Sequence, residues 1–538
     1  MTLTLAGGTV VDGSGAPGFR ADVTVHDGTI RHVQPAGRRG GDVGLIVDVS
    51  GLVVAPGFID MHAHSDLAVL ADPLHEAKVT QGVTLEVLGQ DGLSYAPVND
   101  ETLAQLREQL VGWNGEGTSV DWSWRTVGDY LDQVDRGTAV NVAYLVPHAT
   151  VRLLAVGAED RAATPAELAR MRRLVADGIR DGAVGLSAGL TYTPGMYAPD
   201  SELAALCEVV ASFDGYYCPH HRSYGRDALA AYGEQLSIAE KTGVKLHLAH
   251  AALNFPENAA RAAELLALLD AALARGVDVS LDSYPYVAGC TYLHALLPSW
   301  VQAGGTRATL ERLADPTLRP RLRHELEVVG TDGNHGVPVD WSAVVVSGVR
   351  APGLRAAVGR HLADLAQAAG REPVDVYLQL LIDDCLGATC ILHVGNEDNV
   401  RAIMRHPRHT VGSDAILVGD RPHPRAWGTF ARYLGHYVRE EGVLGLEECV
   451  AHMTARPAGR LGLHDRGRIA AGLVADIVCF DPSTVADTAT YESPRSRSRG
   501  IEYVLVNGQL VVDAGTPTGL APGRSVRRTR SRPTATTR

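Results

Sequence analysis

The stretch Pro56-Gly57-Phe58-Ile59-Asp60-Met61-His62-Ala63-His64 reads as an apolar β run that ends in two histidines at i and i+2. On a strand those two side chains point the same way. Seven more short apolar runs follow: Val83-Gly89, Val140-Pro147, Ala183-Ser187, Tyr216-Pro219, Val244-Ala249, Val277-Tyr284 and His409-Ser413. Helical text separates them. In 164–181, for example, Leu168, Met171, Leu174, Val175 and Ile179 recur at helical spacing, behind the N-cap signal Thr164-Pro165-Ala166-Glu167. Strands alternating with helices build parallel sheets, and eight such units predict an α/β fold, a TIM (β/α)8 barrel. Its catalytic groups belong at the C-terminal ends of the strands.

That expectation selects the chemistry-bearing residues. Beyond the His62/His64 pair, the second run leads into Asp91, the fifth into His220, the sixth into His250 and the eighth into Asp414. Each alone is weak, since a strand-end histidine can be a loop residue and an aspartate can cap a turn. Together they make a nitrogen and oxygen donor set suited to one or two Zn2+ ions with a position left open for water. Asp414 is the candidate general acid/base, because a carboxylate beside an activated water can take its proton and return it to a leaving nitrogen. Tyr192, Tyr284, Arg425 and His148 are candidate substrate contacts, with packing as the competing role for each. His221 and His247 are out of phase with His220 and His250 and are placed behind the ligands or at the surface.

Outside 56–464, the barrel segment, the text is β-like. Residues 1–55 carry short alternating runs (Thr2-Leu5, Thr9-Val11, Asp22-Val25, Ile46-Val49), and 465–520 carries Ala475-Phe480, Ile501-Val506 and Gln509-Val512. The Asn507-Gly508 pair between the last two signals a hairpin. The two ends are expected to form one small β domain. The interval between the seventh and eighth runs is too long for one crossover and predicts an inserted subdomain at about 290–350. The tail 525–538, rich in Arg, Ser and Thr, is expected to be disordered.

With 45% hydrophobic and 21% charged residues in 538, the chain can bury a large core. A formal net charge of -13 disfavours nucleic acid and anionic membrane and leaves a small-molecule substrate as the expected partner. Seven scattered cysteines with no CxxC pair indicate neither a disulfide framework nor a zinc ribbon. The first residues lack the basic start and apolar run of a signal peptide, so a cytoplasmic location is expected.

A longer series of motifs carries a resemblance. PGFIDMHAHSD, VTQGVT, GLSAGLTYTPG, LAHA at His250, SYPY, NEDNVRAIMRHP, VGSD, HPRAWGTFARYLGHYVRE and MTARPAGRLGLHDRGRIAAGLVADIVCFDP occur in that order over nearly the whole chain. The sequence resembles the amidohydrolase superfamily and, more closely, the N-acyl-D-amino-acid deacylase (D-aminoacylase) family. The resemblance implies a zinc held at His220 and His250, a second and weaker site at His62 and His64, and an acid/base at Asp414. It implies hydrolysis of a linear amide, N-acyl-D-amino acid to D-amino acid plus carboxylate, by metal-activated water.

The chain departs from the family pattern in three places. Gln90-Asp91-Gly92 stands where such deacylases typically carry a zinc-binding cysteine, Ala251-Ala252 replaces a histidine and a lysine, and Ala415 replaces a glycine. The first of these puts a hard carboxylate in place of a soft thiolate and favours metals such as Mn2+ or Co2+ relative to Zn2+. Two alternatives compete. A hydantoinase-like cyclic-amide hydrolase would need a carboxylated lysine near the fourth run, where Ser187-Ala188-Gly189 stands. A non-catalytic assembly homologue would have lost its ligands, and here every position keeps one.

Overall fold

The computed structural model describes residues 2–37 and 44–528. Eight parallel strands, Phe58–Asp60, Val83–Leu88, Asn141–Pro147, Gly185–Gly189, Tyr216–His220, Lys245–Leu248, Val279–Ser283 and His409–Val411, pair in chain order. Each matches one of the expected apolar runs. They are buried almost throughout because both faces are covered, one by the barrel interior and one by helices. Ile59, Met61, Leu85, Val87, Ala143 and Leu145 share a buried cluster and are close to fully buried.

The ring closes differently from its other joints. Between the eighth and first strands there is no continuous ladder. Met61 N donates to Val411 O (3.1 Å), Asp414 N to His62 O (2.8 Å) and His64 N to Ala415 O (3.1 Å), with one bridge between Ala63 and Ala415.

The helix Pro165–Arg180 starts as its sequence signals. Thr164 and Glu167 form a reciprocal capping box and Pro165 occupies the first turn, while Met171, Val175 and Ile179 face inward.

Both termini build one sheet. Its order is Thr516–Pro517, Gln509–Asp513, Ile501–Val506, Ile477–Phe480, Val53–Pro56, Thr2–Val10, Phe19–His26 and Thr29–Pro35, with Leu45–Asp48 parallel to Thr2–Val10. The ends of the chain meet where Ile477–Phe480 runs antiparallel to Val53–Pro56. Asn507 and Gly508 are both left-handed (φ 50° and 78°), as a two-residue hairpin of strands with native twist requires. The two N-terminal runs read separately, Thr2-Leu5 and Thr9-Val11, are one strand bent by a register shift between Leu5 and Gly8. Thr29–Pro35 and Val53–Pro56 are strands that alternation alone did not reveal. Phe58 stacks on Phe430 (5.8 Å between centroids) and lies 6.3 Å from Phe480, joining the barrel to this sheet.

Two boundaries differ from expectation. The insert between the seventh and eighth barrel strands extends well past 350. Its three-stranded sheet takes Gly289–Tyr292, Val344–Gly348 and Thr389–Leu392, and it has its own core, including Leu297, Leu313, Leu378 and Leu381. The third strand pairs with both others, so the unit cannot end before it. The tail is ordered as far as it is described. Val526 N donates to Val142 O (2.7 Å), Ser525 N to Asp135 Oδ1 (2.7 Å), and Arg527 pairs with Asp135 (2.8 Å). Its basic composition finds acids on the barrel, which an argument from composition could not foresee. The rest of the expected disordered segment, 529–538, lies outside the described residues. Among the described residues no helix is long and apolar enough to cross a membrane.

Candidate metal centre

Five expected ligands and the expected acid/base Asp414 converge at the C-terminal mouth of the barrel. The Asp91 carboxylate occupies the middle of them. Its Oδ1 lies 3.4 Å from His62 Nε2 and 3.6 Å from His250 Nε2, and its Oδ2 lies 3.4 Å from His220 Nδ1 and 3.6 Å from His64 Nε2. Asp414 closes the far side, with Oδ1 3.1 Å from His64 Nε2 and 3.7 Å from His62 Nε2. One donor atom each from His62, Asp91, His250 and Asp414 falls within a 4.8 Å span.

The backbone is forced into place here. Asp91, His250 and Asp414 all have positive φ (53°, 29° and 50°), where a side chain costs about 1–3 kcal/mol and persists only if its surroundings over-determine it. They do: His250 N donates to Asp282 Oδ1 (2.9 Å) and Asp414 N to His62 O (2.8 Å). Close approach also demands Gly412, where an added Cβ would sit 2.5 Å from Asp282 Oδ1 and 2.8 Å from His62 Cβ.

The electrostatics are those of a cation site. Both ring nitrogens of His62 and Oδ1 of Asp91 are buried with no hydrogen-bond partner, a condition rare in folded proteins unless an ion or water completes it. Burial pulls His62 down to about 4. Burial also opposes charge on His64, but hydrogen bonds to Asp414 and Asp91 carry it up to about 9. Burial would raise Asp414, yet the Arg425 guanidinium, followed by His250 and His64, holds it well below the usual carboxylate range. Imidazole nitrogens and hard carboxylate oxygens in this number match the donors that bind Zn2+.

The supporting residues include some that sequence reasoning missed. Asp282, inside the seventh strand, accepts from His250 N and lies 3.0 Å from His247 Nε2 and 3.9 Å from His62 Nδ1. It was overlooked because it sits one residue short of the strand end. Its place in the SLDSYPY run was a usable signal. Thr191 Oγ1 lies 2.7 Å from His220 Nε2 and sets which nitrogen faces Asp91. His221 and His247 are both fully buried, so the surface alternative for them is excluded.

A cavity opens beside the ligands. Tyr192, Tyr284, His220, His250 and Asp414 line it, and His335 reaches it from the insert, a contribution with no local sequence signal. The Tyr192 ring is 4.8 Å from that of His220, and its hydroxyl lies 3.1 Å from Thr291 Oγ1. Arg425 is fully buried, with its guanidinium 4.6 Å from the Tyr284 ring centre, Nη1 2.9 Å from Asp414 Oδ2 and Nη2 donating to Cys290 O. His148 lies elsewhere. It is not among the residues lining this cavity; its Nε2 sits 2.9 Å from Glu202, which also pairs with Arg152, so the imidazole is held by a buried acid away from the mouth.

Comparison with known proteins bears on the family and the fold. A model described as "Amidohydrolase family" matches residues 45–512. The chain is 37% identical to a D-aminoacylase of Alcaligenes xylosoxydans xylosoxydans, covering 98% of each chain. It is also 37% identical to an N-acyl-D-glutamate deacylase of the same organism, over 98% of this chain and 97% of that one. The crystal structure of N-acyl-D-glutamate deacylase from Bordetella bronchiseptica, complexed with zinc and a phosphonate mimic of the tetrahedral intermediate, superposes with a TM-score of 0.83. The two share 34% identity, over 98% of this chain and 99% of that one.

Proposed function

This chain belongs to the amidohydrolase family, and we propose that it hydrolyses the amide of an N-acyl-D-amino acid, releasing a D-amino acid and a carboxylate. The observation that carries the reading is the Asp91 carboxylate set among four imidazoles, with Asp414 beside the His62/His64 pair. His62, His64, Asp91, His220 and His250 would hold one or two zinc ions. Bound there, the metal supplies Lewis acidity that polarises a carbonyl and makes a water acidic enough to attack at neutral pH.

The chain's own groups perform the proton transfers. Asp414 is kept ionised by Arg425, so it can accept a proton from the attacking water. As the C–N bond breaks, the same carboxyl returns that proton to the nitrogen, leaving a neutral amine and a carboxylic acid that ionises. We assign the substrate carboxylate to the hydroxyls of Tyr192 and Tyr284, which line the cavity; Arg425, fully buried and engaged with Asp414 and Cys290 O, does not line it and acts by holding Asp414. Burial raises both phenols, so they stay protonated and act as donors. We also place the protein in the cytoplasm, in keeping with its seven free cysteines.

The test is hydrolysis of N-acetyl D- and L-amino acids and of hydantoins by zinc-supplied protein, with a chelated sample alongside. Metal-dependent release of D-amino acids is expected. Turnover of hydantoins alone would transfer the activity to cyclic amides.

A further inference from the structure

Behind the metal ligands lies a second buried charge cluster that takes no part in the chemistry above. Lys78 is completely buried. Its Nζ donates to Asp60 Oδ2 (2.6 Å) and Ser413 Oγ (2.9 Å), and lies 2.7 Å from Glu86 Oε1. Glu86 is completed by His75 Nε2 at 2.6 Å and by the Ser65 hydroxyl at 3.2 Å. All of these side chains are within 1% of full burial.

The connections of Asp60 show what the cluster does. Its Oδ1 accepts from His62 N (3.2 Å) and from Ser413 N (2.8 Å), and its Oδ2 accepts from Ser413 Oγ (2.6 Å). One side chain thus grips the backbone that carries His62 and the backbone that carries Asp414. These two segments face each other across the joint between the first and eighth strands, where the ladder is interrupted and the remaining backbone bonds are few. Ser65, the residue after His64, is tied to the same knot through Glu86.

We propose that Lys78, Asp60 and Ser413 form a positioning clamp across the barrel seam, setting the separation between Asp414 and the His62/His64 pair. Stability alone does not account for such a group. Replacing buried ion pairs by apolar residues is often neutral or stabilising, whereas orientation within an ångström governs rate. None of the three touches the cavity, so they act through the residues they hold.

The inference rests on the hydrolase reading, and two variants test it in the full-length zinc-supplied protein. Ser413→Ala removes the hydroxyl that bonds both Lys78 and Asp60 and leaves their direct ion pair in place. The double variant Asp60→Asn/Lys78→Met removes one charge of each sign, leaves Glu86 paired with His75 and keeps an amide oxygen for the two backbone donors. For folded protein, kcat is expected to fall about 10- to 100-fold while KM stays within about threefold. A kcat within about twofold of the parent in folded variants of either kind overturns the clamp. If the parent turns over no substrate, the hydrolase reading fails separately and a chelator-competition titration with Zn2+ decides. A zinc affinity weakened about tenfold or more supports the clamp, and equal affinity overturns it.

Discussion

Asp91 concentrates the metal question in one side chain. A carboxylate surrounded by imidazole nitrogens at 3.4 to 3.6 Å can serve ions on either side of it, and its oxygens are hard donors. Reconstitution of metal-free protein is therefore expected to show substantial activity with Mn2+ or Co2+, and Asp91→Cys should shift the preference toward Zn2+. Activity measured across a metal series checks both statements. Asp414→Asn keeps the shape of the site and removes the proton acceptor. Turnover should drop by about 10²- to 10⁴-fold with metal content unchanged, as measured by elemental analysis beside steady-state kinetics. An Asn variant with near-parental turnover would remove Asp414 from the mechanism.

Barrel strands deliver most of the ligands, and the insert delivers an acid-sensitive element. Burial holds His294 down to about 4 and His335 down to about 3, His220 and His250 adding to the effect at His335. Their folded values lie below the unfolded value of about 6.5, so the unfolded chain binds more protons in that window. The stability they contribute is full above about pH 6.5 and is lost as pH falls toward 4 and 3. Melting temperature against pH should start to decline below about 6.5, and His294→Gln with His335→Gln should flatten the upper part of that decline. Glu86 behaves as a second acid-sensitive group. Lys78 and His75 outweigh burial and depress it to about 2, so its contribution disappears only as pH falls from about 4.5 toward 2.

The whole molecule separates stability from chemistry. The sheet built from both termini packs beside the barrel and contributes none of the ligands. Ile477, fully buried in the strand that joins the two chain ends, is a core residue of that sheet. Ile477→Ala should cost about 2–5 kcal/mol in a denaturant titration. In the same variant kcat of the folded fraction should be unchanged, because the mouth of the barrel lies outside that sheet. A large fall in kcat would show that the two units are coupled.

What the sequence alone determined was periodic and local. Eight apolar runs, each closed by turn chemistry and separated by helical spacing, specify a parallel barrel, and polar residues just after those runs mark its mouth. His62, His64, Asp91, His220, His250 and Asp414 were legible on that ground because position at a strand end is a one-dimensional property. Tertiary structure alone decided the remainder. Asp282 gains its place from the neighbours it bonds, His335 from a loop more than 110 residues beyond its partner His220, and Lys78 from a joint between the first and last strands. His148, equally placed at a strand end, turned instead to Glu202. Burial makes the difference: an imidazole or ammonium removed from water must take the nearest opposite charge, and which charge is nearest is fixed only when the chain has closed on itself.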